Sequence, residues 1–190
     1  MRVAVHYAAW LVGLAQAETQ TTARERDSLA RHAAGRARLV EIGVWHGVTT
    51  ARLRAAMDPA GVLSAVDPFP RGRLGISFQE RIARREIERV PGGRVRWLKT
   101  TGADAARGHG PVDFVFVDGD HSEAGLLADW QAWSGLVEKD GVVGLHDSRS
   151  TPERPIADAG SVKVTNTVIL QDARFEVVDA VDSLTVLRRR

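Results

Sequence analysis

The stretch Leu-Val-Glu-Ile-Gly-Val-Trp-His-Gly, residues 39–47, decides the fold of this chain. Its first residues are apolar enough for a buried strand, and Glu41 places a carboxylate just before that strand ends. Gly43 and Gly47 then bracket a tight turn, and the residues from Thr49 onward are typical of the first turns of a helix. A strand, a glycine turn and a helix N-terminus in this order let backbone N–H groups meet a nucleotide-like ligand. The stretch therefore predicts a nucleoside site at the carboxyl end of the first strand.

The next apolar run, residues 62–66, ends at Asp67. A carboxylate at this place can accept both ribose hydroxyls of a bound nucleoside. The dinucleotide fingerprint is G-x-G-x-x-G, whereas this chain has G-x-x-x-G. The middle glycine, which lets a pyrophosphate approach the backbone, is missing. The pattern therefore favours a nucleoside ligand that carries no pyrophosphate.

Apolar runs continue to alternate with helical segments along the chain. Three further strands are predicted over residues 94–99, 112–117 and 142–145, and the helix before the last of them is predicted over residues 122–137. This alternation implies right-handed βαβ units. We therefore predict an α/β fold with a doubly wound, Rossmann-like and mostly parallel sheet.

The composition is that of an ordinary globular chain, with 44% hydrophobic residues, 26% charged residues and a formal net charge of +2. The absence of cysteine excludes disulfides, thiolate metal sites and cysteine nucleophiles, and it fits a reducing compartment. No run of Lys and Arg is long enough for a nucleic-acid arm, and no apolar stretch is long enough for a bilayer. We expect a cytoplasmic protein with no nucleic-acid or membrane partner, and the sequence leaves homo-oligomerisation open.

Four short motifs, taken together and in order, resemble the small class I S-adenosylmethionine-dependent methyltransferases. They are Glu-Ile-Gly-Val-Trp-His-Gly at 41–47, Val-Asp-Pro-Phe at 66–69, Val-Asp-Gly-Asp-His at 117–121 and Leu-His-Asp at 145–147. The chain is most similar to the group that includes macrocin-type sugar O-methyltransferases, and it more distantly resembles catechol O-methyltransferases. The resemblance covers roughly residues 22–147. The length of 190 residues predicts one domain over residues 1–190, with N-terminal helices over residues 1–35 and a Rossmann-like core over residues 36–190.

The resemblance implies S-adenosylmethionine as the cofactor and a hydroxyl of a sugar, phenol or natural product as the small-molecule acceptor. The cofactor residues it implies lie at or just past predicted strand ends: Glu41, Gly43, Trp45, Gly47, Asp67, Ala103, Asp104 and Asp118. Asp104 is explained equally well as a helix cap, and Trp45 equally well as a core residue.

Asp118 and Asp147 end the fourth and fifth predicted strands. Neighbouring strands are about 4.8 Å apart, so the two carboxylates can share a hard cation such as Mg²⁺. In the related metal-dependent methyltransferases, the position of Asp118 and an acidic pair at the positions of His146 and Asp147 hold the metal. Because His146 removes one ligand charge, we expect a weaker site, a preference shifted towards Mn²⁺, or no metal.

His121 follows Asp118 within one short loop, and the resemblance implies that it is the catalytic general base. A sugar or phenol hydroxyl is a poor nucleophile until its proton leaves, and an imidazole can take that proton at neutral pH. The alternative is that His121 caps the helix beginning at Ser122 or packs against Trp45.

Residues 162–170 alternate with a period of two, which favours a strand. The family topology instead places a helix here, before a closing antiparallel hairpin that we predict over residues 175–178 and 184–187. We expect the helix on the resemblance alone. The acceptor would be shaped by residues 1–22, 69–76 and 148–160, and the sequence does not identify it.

Two other functions remain open at this point. A nicotinamide-dependent oxidoreductase would share the fold, but the missing middle glycine and the absence of a Tyr-x-x-x-Lys pair argue against it. A ligand-binding protein that kept the fold but lost turnover is compatible with the change at His146.

Overall fold

The computed structural model describes residues 2–72 and 75–190. Met1, Arg73 and Leu74 lie outside these ranges, so the predicted acceptor-shaping segments at residues 1–22 and 69–76 are described only in part. Within the described ranges, no helix is both long and apolar enough to cross a membrane.

Strands and helices alternate along most of the described chain. The strands are β1 (Arg38–Ile42), β2 (Val62–Val66), β3 (Arg94–Leu98), β4 (Val112–Val117), β5 (Val137–Leu145), β6 (Phe175–Val181) and β7 (Leu184–Arg189). The helices are α1 (Arg2–Leu11), α2 (Ala23–Ala33), α3 (Val48–Ala56), α4 (Phe78–Glu88), α5 (Gly102–Ala105), α6 (Glu123–Trp133) and α7 (Gly160–Thr167), and a short 3-10 helix follows at Ile169–Gln171.

The strands form one mixed sheet in the order β3-β2-β1-β4-β5-β7-β6. The first five strands in this order run parallel, and β7 pairs antiparallel with both β5 and β6. The order reverses between β1 and β4, which is where ligands bind in open sheets of this kind. The predicted Rossmann-like α/β fold with a C-terminal antiparallel hairpin is confirmed.

Alternate residues of the central strands point to opposite faces of the sheet and build two cores. Leu39 and Phe114 pack with Leu53 of α3 on one face. Val40 packs with Trp130 of α6 on the other face. Because both faces are covered, β1 and β4 are almost continuously apolar, and this pattern made them easy to identify in the sequence.

The boundary between α6 and β5 differs from the prediction. The helix ends at Trp133 instead of residue 137, and β5 begins at Val137 instead of residue 142. Val137 is fully buried and pairs with Val112, and the register then shifts before Val142 pairs with Phe114. Pairing across the sheet therefore outweighs the helical pattern that continues locally past Trp133.

Residues 160–167 form a helix, so the period-two interpretation of this segment is wrong and the helix expected from the resemblance is confirmed. Its buried face includes two hydroxyl residues, Ser161 and Thr165, beside Val162 and Val164. The hydroxyls are satisfied internally, because Ser161 Oγ donates to the Asp147 carbonyl at 2.6 Å and Thr165 Oγ1 donates to Ser161 O at 2.8 Å. A pattern that counts only apolar residues misses such a face.

The carboxyl ends of β1, β2, β4 and β5 meet at one edge of the sheet, and residues with unusual backbone conformations follow β1, β2 and β5. Trp45, Phe69 and Asp147 have φ angles of 47°, 45° and 49°, in the left-handed region that side chains rarely adopt. Each such residue costs about 1–3 kcal/mol, and this kind of strain concentrates at functional sites. The backbone therefore points to this edge before any side chain is considered.

Candidate active site

A cavity of about 680 Å³ opens at this edge, at the ends of β1, β2 and β4. Its size falls within the range of about 300–1,000 Å³ that is usual for small-molecule sites. The structure brings together here most of the residues predicted from the sequence: Glu41, Gly43, Trp45, Asp67, Ala103, Asp118 and His121.

Glu41 is a buried carboxylate in the cavity wall, with 1% of its surface exposed. Its Oε2 atom has no hydrogen-bond partner among the described residues. Burial raises the pKa of Glu41 well above its ordinary value; the Thr50 hydroxyl opposes this, and the nearby carboxylates of Asp118 and Asp67 add to it. An unpaired buried acceptor costs about 1–3 kcal/mol, so a ligand that brings a cation or an N–H group to Glu41 would be stabilised.

Asp67 fastens the glycine turn to the end of β2. Its Oδ2 atom accepts hydrogen bonds from the backbone N–H groups of Val44 and Trp45, both at 3.0 Å, and its Oδ1 atom accepts one from Phe69 at 2.7 Å. A carboxylate has about four acceptor sites, so one remains for a ligand hydroxyl. Asp67 therefore supports the turn in addition to facing the cavity.

Two of the predicted cofactor residues, Gly47 and Asp104, are not among the residues that line this cavity. Gly47 has a φ angle of 76°, and a Cβ atom there would lie 2.9 Å from Ala83 Cα, so α3 and α4 require a glycine for their packing. Asp104 is about half exposed and pairs with Thr101, which caps α5, and with Arg107. Thr101 is therefore the cap of α5, and Asp104 is an acidic residue in the first turn of that helix.

His121 lies at the rim of the cavity, with 36% of its side chain exposed. Its Nε2 atom is 3.5 Å from Asp118 Oδ1, and its ring meets the His146 ring edge to face at 5.9 Å. The helix cap belongs to Ser122, whose Oγ atom accepts the N–H of Gly125 at 3.0 Å. The alternative that His121 caps α6 is therefore wrong.

His146 lies behind Asp118, and its side chain is 1% exposed. Its Nδ1 atom is 2.7 Å from Asp118 Oδ1, which is an ion-pair distance, and its Nε2 atom is 3.6 Å from Glu25 Oε2. Burial alone would lower the pKa of His146, but the carboxylates of Asp118 and Glu25 outweigh burial and raise it to about 10.

Asp147 lies just past the end of β5 and is held by Arg154, whose Nε and Nη2 atoms donate to its two carboxylate oxygens. Burial opposes ionisation of Asp147, yet the hydrogen bonds from Arg154 outweigh it and lower the pKa of Asp147. At this edge of the sheet, the carboxylate oxygen and ring nitrogens of Asp118, His121 and His146 come close enough to share an ion, and Asp147 is not part of that group. A second such group, His6, Glu18 and His46, lies elsewhere in the described part of the chain. Neither His146 nor Asp147 is among the residues that line the cavity.

Comparison with known proteins assigns this arrangement to a family. Residues 40–148, which span the glycine turn, Asp67, Asp118, His121, His146 and Asp147, match the family described as "Methyltransferase domain". The chain belongs to this methyltransferase family. The class I S-adenosylmethionine-dependent methyltransferase predicted from the four motifs is confirmed.

Solved structures share the fold of this methyltransferase at low sequence identity. A Corynebacterium glutamicum protein has 20% identity and a TM-score of 0.69, covering 98% of this chain and 88% of its own. Cofactor-bound Rv0187 from MTB has 18% identity and a TM-score of 0.74, and the match covers 100% of this chain and 90% of Rv0187. The O-methyltransferase TomG from Streptomyces achromogenes, solved with S-adenosylmethionine, has 18% identity and a TM-score of 0.67. That match covers 98% of this chain and 87% of TomG. No curated protein matches the sequence.

Two residues of α6 that support the cavity of the methyltransferase are not part of any of the four motifs. Trp133 Nε1 donates to the Gly102 carbonyl at 2.9 Å. Asp129 is 5% exposed and packs so closely on Gly102 that a Cβ atom there would overlap it. Burial, with a contribution from Asp120, raises the pKa of Asp129 to about 6. An aspartate one turn before Trp133, on the apolar face of a helix, was the available signal.

A third residue outside the four motifs is Glu25 in the N-terminal helix α2. It is fully buried, and its Oε1 atom accepts hydrogen bonds from both the backbone N–H and the hydroxyl of Ser183, each at 2.8 Å. Its Oε2 atom accepts the N–H of Thr22 at 2.8 Å and completes a capping box. Thr22 followed three residues later by a glutamate is the sequence signature of such a box, whereas the contact with His146 has no local signature.

The charge on His146 predicts how the stability of the methyltransferase changes with pH. A folded-state pKa of about 10, above the ordinary value of 6.5, means that the stabilisation is complete below pH 6.5 and is lost as the pH rises through 10. We expect the thermal midpoint to fall between pH 7 and pH 10, as measured by circular dichroism. The His146→Gln variant should show a flatter profile over this range, and the control His32→Gln should keep the wild-type slope. Equal slopes for wild type and His146→Gln would contradict the assignment.

Proposed function

We propose that this methyltransferase methylates a hydroxyl oxygen of a small molecule, such as a sugar, a phenol or another natural product, with His121 as the general base. The observation that carries the proposal is the position of His121. Its ring is partly exposed at the rim of the cavity and lies 3.5 Å from Asp118. A group that accepts the acceptor's proton must meet both solvent and the acceptor, and a histidine that lines the cavity and is partly exposed is suited to both.

S-adenosylmethionine supplies a methyl group on a positively charged sulfur. In the cavity it would supply this methyl group to the acceptor oxygen, so that a C–O bond forms as the C–S bond breaks and the bonding electrons stay on sulfur. The His121 ring would take the hydroxyl proton. Most of the rate enhancement would come from positioning, since the chain need only align the acceptor oxygen and remove one proton.

The cofactor fits the residues that line the cavity. Glu41 offers an unpaired, buried carboxylate to a cationic ligand, and Asp67 keeps one acceptor site for a ribose hydroxyl. Trp45 and Ala103 would flank the bound cofactor. The described wall of the cavity contains no Lys or Arg and six carboxylates: Glu18, Glu41, Asp67, Asp118, Asp120 and Asp129. This favours a neutral acceptor over a phosphorylated one.

Metal assistance is the part of the prediction that the donor set does not support. A Mg²⁺ ion at Asp118, His146 and Asp147 would need several oxygen ligands, but one of the three side chains is an imidazole and Arg154 binds both oxygens of Asp147. We therefore derive the reaction without a metal step. The cytoplasmic location and the lack of a nucleic-acid partner remain proposals, supported by the absence of cysteine and of a basic run.

Calorimetry tests the cofactor assignment. S-adenosylhomocysteine should bind in the low-micromolar range, an order-of-magnitude value for a pocket of this kind. The Asp67→Ala variant should bind it more weakly by about 1.5–3 kcal/mol, because a charge-assisted bond is lost and the turn is loosened. Asp104→Ala is the matched control, since that carboxylate lies outside the cavity, and its affinity should be unchanged. Heat with NAD but none with S-adenosylhomocysteine would refute the assignment.

A further inference from the structure

The ends of β4 and β5 carry an arrangement of charges that the proposed methyl transfer does not use. Three carboxylates, those of Glu25, Asp118 and Asp147, face the His146 ring. The distances from the ring nitrogens to the carboxylate oxygens are 3.6, 2.7 and 3.8 Å in the same order. Carboxylates brought together in this way repel one another unless a cation lies between them.

Arg154 is the first of two side chains of this chain that supply positive charge to these carboxylates. The loop after β5 returns over the strand end, and Arg154 binds Asp147 through two parallel hydrogen bonds. Its backbone is fixed as well, because the Arg154 N–H donates to the carbonyl of Thr151 at 3.2 Å and to the hydroxyl of the same residue at 3.1 Å. A guanidinium is always charged at accessible pH and matches a carboxylate in this two-pronged geometry. Arg154 therefore occupies one acceptor site on each oxygen of Asp147 and supplies the positive charge that a metal ion would bring there.

The second feature is the position of the His146 ring. The two ring nitrogens face different carboxylates, Nδ1 towards Asp118 and Nε2 towards Glu25. Glu25 is itself held in place by three hydrogen bonds, from Ser183 and Thr22. The ring thus fills the space between Asp118 and Glu25 and supplies no oxygen ligand.

We propose that the Arg154 guanidinium and the His146 ring occupy the place of a divalent cation, so that this chain binds S-adenosylmethionine and transfers the methyl group without a metal. The inference rests on the proposed function for the methyl transfer, but its claim that the chain binds no metal ion does not depend on that function. In this arrangement Arg154 and His146 are positioning residues. His146 holds the carboxylate of Asp118 beside His121, and Arg154 holds Asp147 at the end of the neighbouring strand.

Metal binding can be measured directly, without an acceptor. We expect no saturable heat when Mg²⁺, Mn²⁺ or Zn²⁺ is titrated into the wild-type protein saturated with S-adenosylhomocysteine. We also expect the affinity for S-adenosylhomocysteine to be the same in EDTA as in added Mg²⁺. Binding of S-adenosylhomocysteine in the same cell reports on the proposed function, so a failure of that function and a failure of this inference are distinguishable.

A pair of substitutions should create the missing site. The double variant His146→Asp with Arg154→Ala frees Asp147 and restores a third carboxylate, and it should gain one-to-one Mn²⁺ binding. Arg154→Ala alone should remain folded, because 38% of that side chain is exposed, and it should bind Mn²⁺ at least tenfold more weakly than the double variant. Arg149→Ala, an exposed arginine in the same loop, is the control and should gain no binding.

One result would overturn the inference: saturable binding of Mn²⁺ or Zn²⁺ to the wild type that is lost in His121→Ala and Asp118→Asn. The close nitrogen and oxygen atoms of Asp118, His121 and His146 would then form a site of two imidazoles and one carboxylate, a set that suits a transition metal. Should the double variant not fold, the wild-type titration decides the question alone.

Discussion

Replacement of His121 by alanine should lower the turnover number by about 10²–10⁴-fold and leave the affinity for S-adenosylhomocysteine nearly unchanged. The reason is the position of the side chain. His121 extends from the loop between β4 and α6 at the rim of the cavity, whereas the glycine turn that would hold the cofactor follows β1. Removing the ring thus takes away the proton acceptor without changing Glu41 or Asp67. Turnover is measured as release of S-adenosylhomocysteine, with a hydroxyl acceptor found by screening sugars and phenols.

Ser122→Ala is the matched control for this measurement. It removes the helix cap next to His121, so the free energy of unfolding should fall by about 1 kcal/mol while turnover per folded molecule stays near the wild-type value. His121→Ala should show the opposite pattern, a similar thermal midpoint with a large loss of rate. A His121→Ala enzyme with full activity would remove the residue from the catalytic proposal.

Much of the fold could be predicted because it depends on local patterns. The apolar runs of β1 and β4, the acidic residues at the strand ends and the caps of the helices are short-range signals, and the structure reproduces them. The closing hairpin was also predicted, although β6 extends to Val181 and β7 to Arg189. The start of β5 was not predicted, since it depends on pairing with Val112, a residue distant in the sequence.

The residues of the candidate site also fall into those that local motifs predict and those that depend on tertiary contacts. Glu41, Asp67 and His121 lie where their motifs indicate because a strand end fixes them. The partners of those residues follow from tertiary contacts that motifs do not contain. Arg154 comes from an irregular loop and Glu25 from the second helix, and both meet the end of β5 only in the folded chain.

Gly43 gives a clear example, because its motif position predicted a tight turn beside the cofactor and the structure shows a second reason for a glycine. It lies at the end of β1 with a φ angle of 90°. A Cβ atom at this position would overlap the carbonyl oxygen of Asp118 and lie 2.9 Å from the Gly119 nitrogen. The ends of β1 and β4 therefore touch through their backbones here, and this contact sets the distance between the glycine turn and Asp118.

Gly43→Ala should consequently destabilise the protein by about 2–5 kcal/mol, the sum of left-handed strain and overpacking against a backbone that cannot rotate away. Two glycines separate these contributions. Gly35 has a φ angle of 71° and open space around its Cβ position, so Gly35→Ala should cost only the strain, about 1–2 kcal/mol. Gly135 has open space and no left-handed φ angle, and Gly135→Ala should stay within about 0.5 kcal/mol of wild type.

Urea denaturation of the three variants gives these free energies. Calorimetry with S-adenosylhomocysteine gives a second readout, because the added methyl group must push Asp118 and Gly119 out of the cavity wall. Only Gly43→Ala should lose affinity. If Gly43→Ala were no less stable than Gly35→Ala, the two strand ends would have to separate easily. The edge of the sheet that carries Glu41, Asp118 and His121 would then be flexible. His121 could not be kept in a fixed position relative to the acceptor oxygen and the transferred methyl group.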